Sequence, residues 1–212
     1  RPWPKPRFAP DGGVVTDRLT GLIWMTDANP MEFPVGWNEA FEAIAAMNRN
    51  SAFGHRDWRV PNRGELRSLL SHQEARPALP AGHPLRNLVQ GWYWTSTSAA
   101  INPAFAWYVH LAGARMFYGE KQRFALLWPV CGETEVCLRT GQQRCFDEAG
   151  AEVPCRGTGQ DGEFRMGRPW PDPRFRTAEE GILDLLTGLC WKGEADLCGG
   201  PVTWEEALEA VR

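Results

Sequence analysis

The stretch RPWPKPRF at residues 1–8 returns as RPWPDPRF at residues 168–175. The match continues well past the prolines. VVTDRLTGLIWM (14–25) meets ILDLLTGLCWK (182–192), and PVGWNEAFEAI (34–44) meets PVTWEEALEAV (201–211). The offset is constant and no gap interrupts it, which is the signature of a duplicated module. Both copies must therefore build the same local architecture. The second copy stops after its first helix pattern, whereas the first runs on. We expect a complete module over 1–132, a linker over 133–167 and the N-terminal part of a second copy over 168–212. We also expect the chain to be a piece of a longer tandem protein, or its tail to dock on something else.

A chain of 212 residues has room for one or two domains. A net charge of −3 gives no argument for nucleic acid or a membrane surface as partner, and no apolar run reaches the length of a membrane span. Eleven Trp and seventeen Pro are the departures from ordinary composition. Many Trp suit either a small rigid core or a surface built for contact. The chain opens on Arg and carries no leader pattern, so we expect a leader to have been removed or the sequence trimmed.

The six cysteines, Cys131, Cys137, Cys145, Cys155, Cys190 and Cys198, fall into three close pairs, none of them C-x-x-C. Even number and local pairing point to disulfides Cys131–Cys137, Cys145–Cys155 and Cys190–Cys198, and to an oxidising compartment: periplasm, cell surface or outside. Zinc is the alternative, but the usual paired ligand spacing is missing. CFDEAGAEVPC (145–155) reads as a hairpin clamped at its base, with Ala149-Gly150 at its tip.

Residues 14–25 alternate around Leu19-Thr20-Gly21 and predict a β-hairpin. Trp37, Ala40, Phe41, Ile44 and Met47 recur at helical spacing and predict an amphipathic helix. Asn62 with Glu65, and Thr203 with Glu206, form capping boxes for two helix starts. Strands are predicted at 92–98, 105–111, 115–119 and 125–132. The last is expected to return beside the first, because the ends of a compact module usually lie together. The expected fold class is α+β, with two helices flanking a small twisted antiparallel sheet. TGQ occurs at 140–142 and at 158–160 within the expected linker.

VTDRLTGLIWM, GHRDWRVPNRGELRSLL, YWTSTS, AWYVHL and LLWPVCG, in that order, resemble the successive signatures of the Lcl C-terminal domain family, a bacterial family often found in tandem on secreted and surface proteins. The resemblance implies a C-type-lectin-like fold and an adhesin-type or ligand-binding role, with sulfated polysaccharide as the ligand of the family's namesake. Two departures stand out. Where the family usually ends its last strand in V-R-P-V-R, this chain has Leu127-Trp128-Pro129-Val130-Cys131, so both arginines are replaced. The calcium-dependent sugar motif of true C-type lectins is also absent, since Val60-Pro61-Asn62 lacks the ligating carboxylate.

In DWRVPN (57–62) the polar groups are read as a buried network fixing a loop rather than as a site. GELRSLL resembles a helix of formylglycine-generating enzymes, but those need a copper-binding cysteine pair that the first module lacks before Cys131. The late strands are the candidate binding surface. Alternation in FAWYVHL puts Phe105, Trp107, Val109 and Leu111 on the expected core face and leaves Tyr108 and His110 exposed. With Tyr93, Arg115, Tyr118, Lys121, Arg123 and Trp128 they gather aromatic and basic groups suited to sugar faces and anions. His55, His72, His83 and His110 show no helical pairing, so no metal site is indicated, and no cofactor or nucleotide motif occurs.

These observations favour a non-catalytic extracellular or cell-surface binding module for a glycan, such as a sulfated polysaccharide, or for a surface protein. Duplication supports it, because linked modest sites gain avidity. The alternative is a structural or assembly subunit that self-associates through residues 168–212. An enzyme would need a convergent polar constellation that the sequence does not show.

Overall fold

Asp17 sets the shape of the N-terminal meander. Its buried carboxylate accepts hydrogen bonds from Arg7 Nε and Nη2 at 2.9 and 2.7 Å, from the Thr20 hydroxyl at 3.0 Å and from the Leu19 N–H at 3.0 Å. The strands β1 (Phe8–Asp11), β2 (Val14–Asp17) and β3 (Ile23–Met25) fold antiparallel around this knot. The structure is a computed structural model describing residues 2–179, 181–194 and 196–211. Arg1 and Arg212, which bound the expected modules, lie outside the described residues. The chain divides into two units, Arg1–Pro169 and Trp170–Arg212.

In the first unit, β4 (Val35–Gly36) leads into α1 (Trp37–Arg49). Glu39 accepts the Gly36 N–H at 2.6 Å, which satisfies one otherwise orphaned donor at the helix start. Trp37, Ala40 and Ile44 are buried, and Phe41 and Met47 pack half-buried beside them, as the spacing predicts. The second helix, α2 (Arg63–Ser68), carries the expected capping box: Asn62 Oδ1 accepts from the N–H groups of Gly64 and Glu65, and Glu65 Oε2 accepts from the Asn62 N–H. Glu65 is also gripped by Arg59 through two hydrogen bonds of 2.6 and 2.8 Å, with both side chains buried.

The strands β5 (Trp92–Ser98), β6 (Phe105–His110) and β7 (Arg115–Glu120) form an antiparallel sheet in sequence order. The strand expected over 125–132 is broken in two. β8 (Phe124–Ala125) pairs with β4, and β9 (Val130–Cys131) pairs with β3 at the open edge of the N-terminal meander. Pro129 lies between them and has no N–H to continue a ladder. Trp128 turns inward there and donates its indole N–H to the Met25 carbonyl at 2.9 Å. Trp24, Trp37, Trp58, Trp94 and Trp128 are all fully buried, so much of the unusual Trp content builds the core.

Residues 133–167, the expected disulfide-clamped linker, belong to the first unit. They fold within the first unit as β10 (Cys145–Phe146), β11 (Glu152–Val153) and the short α3 (Asp161–Phe164). The expected hairpin is present and is clamped by the Cys145–Cys155 disulfide. The twin TGQ motifs hold it down. Gln142 accepts the Ser98 N–H and donates to the Ser98 carbonyl, each at 3.0 Å. Gln160 does the same to Phe146, again at 3.0 Å each. In both motifs the Thr hydroxyl accepts the N–H of the Gln two residues on. Buried Asp161 accepts the hydroxyls of Thr97 and Thr140 at 2.7 Å, and burial raises its pKa.

The second unit contains β12 (Phe175–Ala178), β13 (Gly181–Asp184), β14 (Cys190–Trp191) and α4 (Trp204–Ala210). It repeats the hydrogen bonds to the central aspartate: Arg174 grips Asp184 at 3.0 and 2.9 Å, and Thr187 Oγ1 and the Leu186 N–H complete the set. Thr203 and Glu206 form the expected capping box of α4. Burial differs. Trp191 and Trp204 are 56% and 75% exposed, whereas their counterparts Trp24 and Trp37 are fully buried.

Two of the expected disulfides do not form. Cys131 sits in β9 beside Asp57 and Cys137 lies beside Ser68 and Thr134, so the two buried thiols face different neighbours. Burial, with Asp57 adding to it, pushes the Cys131 thiol up to about 12. Cys190, held in β14 opposite Leu183, and Cys198 are exposed thiols. Among the described residues no helix is long and apolar enough to cross a membrane.

Replacing Glu65 by Ala leaves the Arg59 guanidinium buried without its partner. We expect a stability loss of about 3–5 kcal/mol, read as a shift in the urea midpoint by Trp fluorescence. A loss under about 1 kcal/mol would be the value of a surface pair and would contradict the buried geometry.

Candidate functional site

Opposed residues in antiparallel strands share a face. In the β5–β7 sheet Trp92 lies opposite His110 and Trp94 opposite Tyr108, while Tyr108 lies opposite Phe117 and His110 opposite Arg115. These side chains therefore project from one side. Trp92 is the centre of the group. Its ring lies 4.2 Å from that of Tyr108 and 4.8 Å, edge-on, from that of His110, with the Arg115 guanidinium 5.5 Å away. A methyl group added at Gly119 would overlap the Tyr108 ring, so the tyrosine lies flat across that strand because no side chain stands there.

Local bonds fix the rim. His110 Nδ1 accepts the Ala112 N–H at 2.9 Å, which leaves the ring proton on Nε2 in the neutral tautomer. Burial first, and then the Arg115 charge, lowers the His110 pKa and so favours the neutral ring. Arg115 Nε donates to the Ala112 carbonyl at 3.1 Å. Burial raises the Tyr108 pKa, and the Arg123 charge works in the opposite direction. Arg123 makes an exposed ion pair with Glu120 at 3.3 Å. Phe117, on the same face, is 55% exposed.

Tyr108, His110, Arg115 and Arg123 thus belong to one neighbourhood. The remaining residues expected to join them do not. Tyr118 projects from the opposite side, where it packs on Phe105 and Trp107, and Arg63 lies 3.8 Å over the Trp107 ring. Tyr93 is buried, and its hydroxyl accepts the Val89 N–H at 3.0 Å. Burial pushes its pKa up to about 12. Trp128 is in the core. Lys121 is buried too, with its ammonium 4.0 Å over the Trp37 ring and donating to the carbonyls of Phe146 and Asp147 at 3.1 Å each. It is the pin that fastens the 145–153 hairpin to α1.

The physical reason is that neither side of the sheet is bare. Ala106 and Val109 point to opposite sides and both are fully buried, so simple alternation could not separate core from surface. Tyr108 and His110 are consequently half-buried rather than exposed. The sequence does not single out Trp92. Its parity with Trp94 at the start of WYWTSTS was the available signal, but only the register reveals its partners.

Hollows among the described residues lie elsewhere. One of about 370 Å³ is lined by Pro10, Asp11, Gly12, Thr26, Pro84 and Arg86; one of about 200 Å³ lies between α1 and residues 157–164. Neither includes the Trp92–Tyr108 group, which forms an open platform. Such a platform can stack a flat apolar ligand face on its rings and pair an anionic substituent with its guanidinium groups.

The family model of the Lcl C-terminal domain matches residues 13–131, more than half of the chain, and the chain belongs to that family. No curated protein matches the sequence. The match stops at Cys131, so the 133–167 segment that Lys121 fastens down lies outside the matched residues.

Burial pushes the Lys121 pKa from 10.5 down to about 8. Between those values the unfolded chain holds a proton that the folded chain has released. The Lys121 contribution to stability is therefore lowest below pH 8 and rises as the pH climbs toward 10.5. Lys121→Met removes that rise. Urea midpoints at pH 7.5 and 9.5 should show the wild type gaining on the variant at the higher pH, and parallel midpoints would contradict the assignment.

Proposed function

We propose that the first unit is a non-catalytic, C-type-lectin-like binding module that recognises an anionic glycan, with sulfated polysaccharide the foremost candidate, through the β5–β7 face. The carrying observation is the Trp92–Tyr108 pair, 4.2 Å between ring centres, with Arg115 beside it. Aromatic faces suit the C–H faces of sugar rings, and guanidinium groups suit sulfate or carboxylate. Membership of the Lcl C-terminal domain family agrees with a surface-related role. The Cys145–Cys155 disulfide is compatible with an extracellular, cell-surface or periplasmic location.

A second reading rests on a separate observation. Trp191, Trp204, Leu189 and Val211 of the second unit are exposed, where their counterparts in the first unit are core residues or pack against them. In the first unit those counterparts are covered by β9 and the sheet strands; a neighbouring chain that supplied such a cover would make residues 170–211 an association surface, as in a surface assembly. Light scattering against concentration, with Trp191→Ser and Trp204→Ser as the control, separates this role from glycan binding.

The binding role is tested with a glycan panel that includes sulfated polysaccharides, at low and physiological salt. We expect salt-sensitive binding that Tyr108→Ala with Arg115→Ala weakens by about tenfold or more, given that hot-spot truncations commonly cost 2 kcal/mol or above. Unchanged binding by a folded double variant would remove the site from this face. Binding to proteins alone would move the ligand class to a surface protein.

A further inference from the structure

We propose that His55, Asp57 and Cys131 form a binding site for a zinc-like divalent transition-metal ion. A ring nitrogen of His55, a carboxylate oxygen of Asp57 and Cys131 Sγ all lie within 4.8 Å of one another. They come from two segments far apart in the chain. The backbone of Arg59 exchanges hydrogen bonds with Val130, at 2.9 and 3.1 Å, and this bridge lays residues 55–59 along β9. The spacing of the histidines along the sequence could not show such a meeting.

Each donor is held from outside the cluster. Asp57 Oδ2 accepts the Gly132 N–H at 3.0 Å, while Oδ1 lies 3.8 Å from His55 Nδ1. The His55 ring packs edge-on against Trp58 at 5.6 Å, and its backbone N–H is held by the Ala52 carbonyl. Cys131 is fixed in β9 opposite Ile23. A thiolate, an imidazole and a carboxylate are a borderline-soft donor set that suits zinc better than calcium or magnesium. With metal–ligand bonds of about 2.0–2.3 Å, tetrahedral donors stand roughly 3.3–3.8 Å apart. The cluster needs to draw in by about 1 Å, within reach of small side-chain rotations.

Coordination breaks the Cys131 S–H bond and forms a sulfur–metal bond, and the proton goes to solvent. His55 binds through a ring nitrogen lone pair and Asp57 through a carboxylate oxygen, so metal binding is coupled to proton release from Cys131. Three protein ligands leave a fourth position for water, and the Asp57 side chain is 61% exposed.

The test is titration of the whole chain with Co2+, in a Cys190→Ser, Cys198→Ser background so that the exposed thiols do not contribute. We expect one ion per chain, a thiolate-to-cobalt charge-transfer band in the near ultraviolet and competition by Zn2+. Cys131→Ser should abolish the band. His55→Ala and Asp57→Asn should each weaken binding by at least the roughly tenfold that losing a mere supporting group costs. These two side chains are partly exposed, so their variants keep the test decisive should Cys131→Ser fail to fold. Absence of the band at stoichiometric Co2+, its persistence in Cys131→Ser, or unchanged affinity in both the His55 and Asp57 variants would overturn the proposal.

Discussion

The buried pair between Arg59 and Glu65 is the constraint on which most of the first unit depends. Two charges out of water are costly unless every polar atom is met, and here nearly every contact serves a second purpose. Glu65 caps its own helix through the Asn62 N–H while holding both terminal nitrogens of Arg59. Arg59 reaches the Gly132 carbonyl at 2.8 Å with its side chain and Val130 with its backbone. The start of α2 and the end of β9 are therefore fixed to one point. Asn48 adds a lock from α1, binding both the N–H and the carbonyl of Trp58 at 2.8 Å. Loop, two helices and the closing strand share one polar junction, and the Trp core packs around it.

Much of this was legible in the sequence. Capping boxes and the apolar stripe of α1 are local signals, set by neighbours three or four residues away, and they appear where the residues put them. DWRVPN holds a loop-fixing network only in part: Arg59 is buried against Glu65 and Asn62 caps α2, whereas Asp57 stays exposed beside His55 and Cys131. The failures share a cause: they depend on which distant segment covers a residue. Lys121 follows Glu120 in a polar stretch and reads as a surface cation, yet Trp37, Phe146 and two carbonyls enclose it. Tyr93 and Trp128 looked like platform residues because nothing local tells a buried ring from an exposed one. Cysteine proximity in sequence misled in the same way, since Cys131 and Cys137 are turned to different surroundings.

Duplication shows how far local information goes. The Arg7–Asp17–Thr20 knot and the Arg174–Asp184–Thr187 knot agree within a few tenths of an ångström, down to the guanidinium lying over Trp3 and Phe8 in one and over Trp170 and Phe175 in the other. A polar knot with two aromatic flanks thus specifies the meander whether or not its apolar side is covered. Burial of that side is a separate event, supplied in the first unit by β9 and the sheet strands.

The outer side of β5 is met by three unrelated pieces of chain: Leu126 takes the backbone of Trp92 and Trp94, Pro61 takes the Ser96 N–H, and the Gln142 side chain takes both backbone groups of Ser98. A side-chain amide here stands in for the fourth strand the sheet does not have. The sheet can then grow in one direction only. Among the described residues β7 is its single open edge, and Arg115 and Glu120 put a charge at either end of it. Charged ends of this kind discourage unplanned edge-to-edge stacking, so the small sheet is closed along β5 by borrowed hydrogen bonds and guarded along β7 by charge.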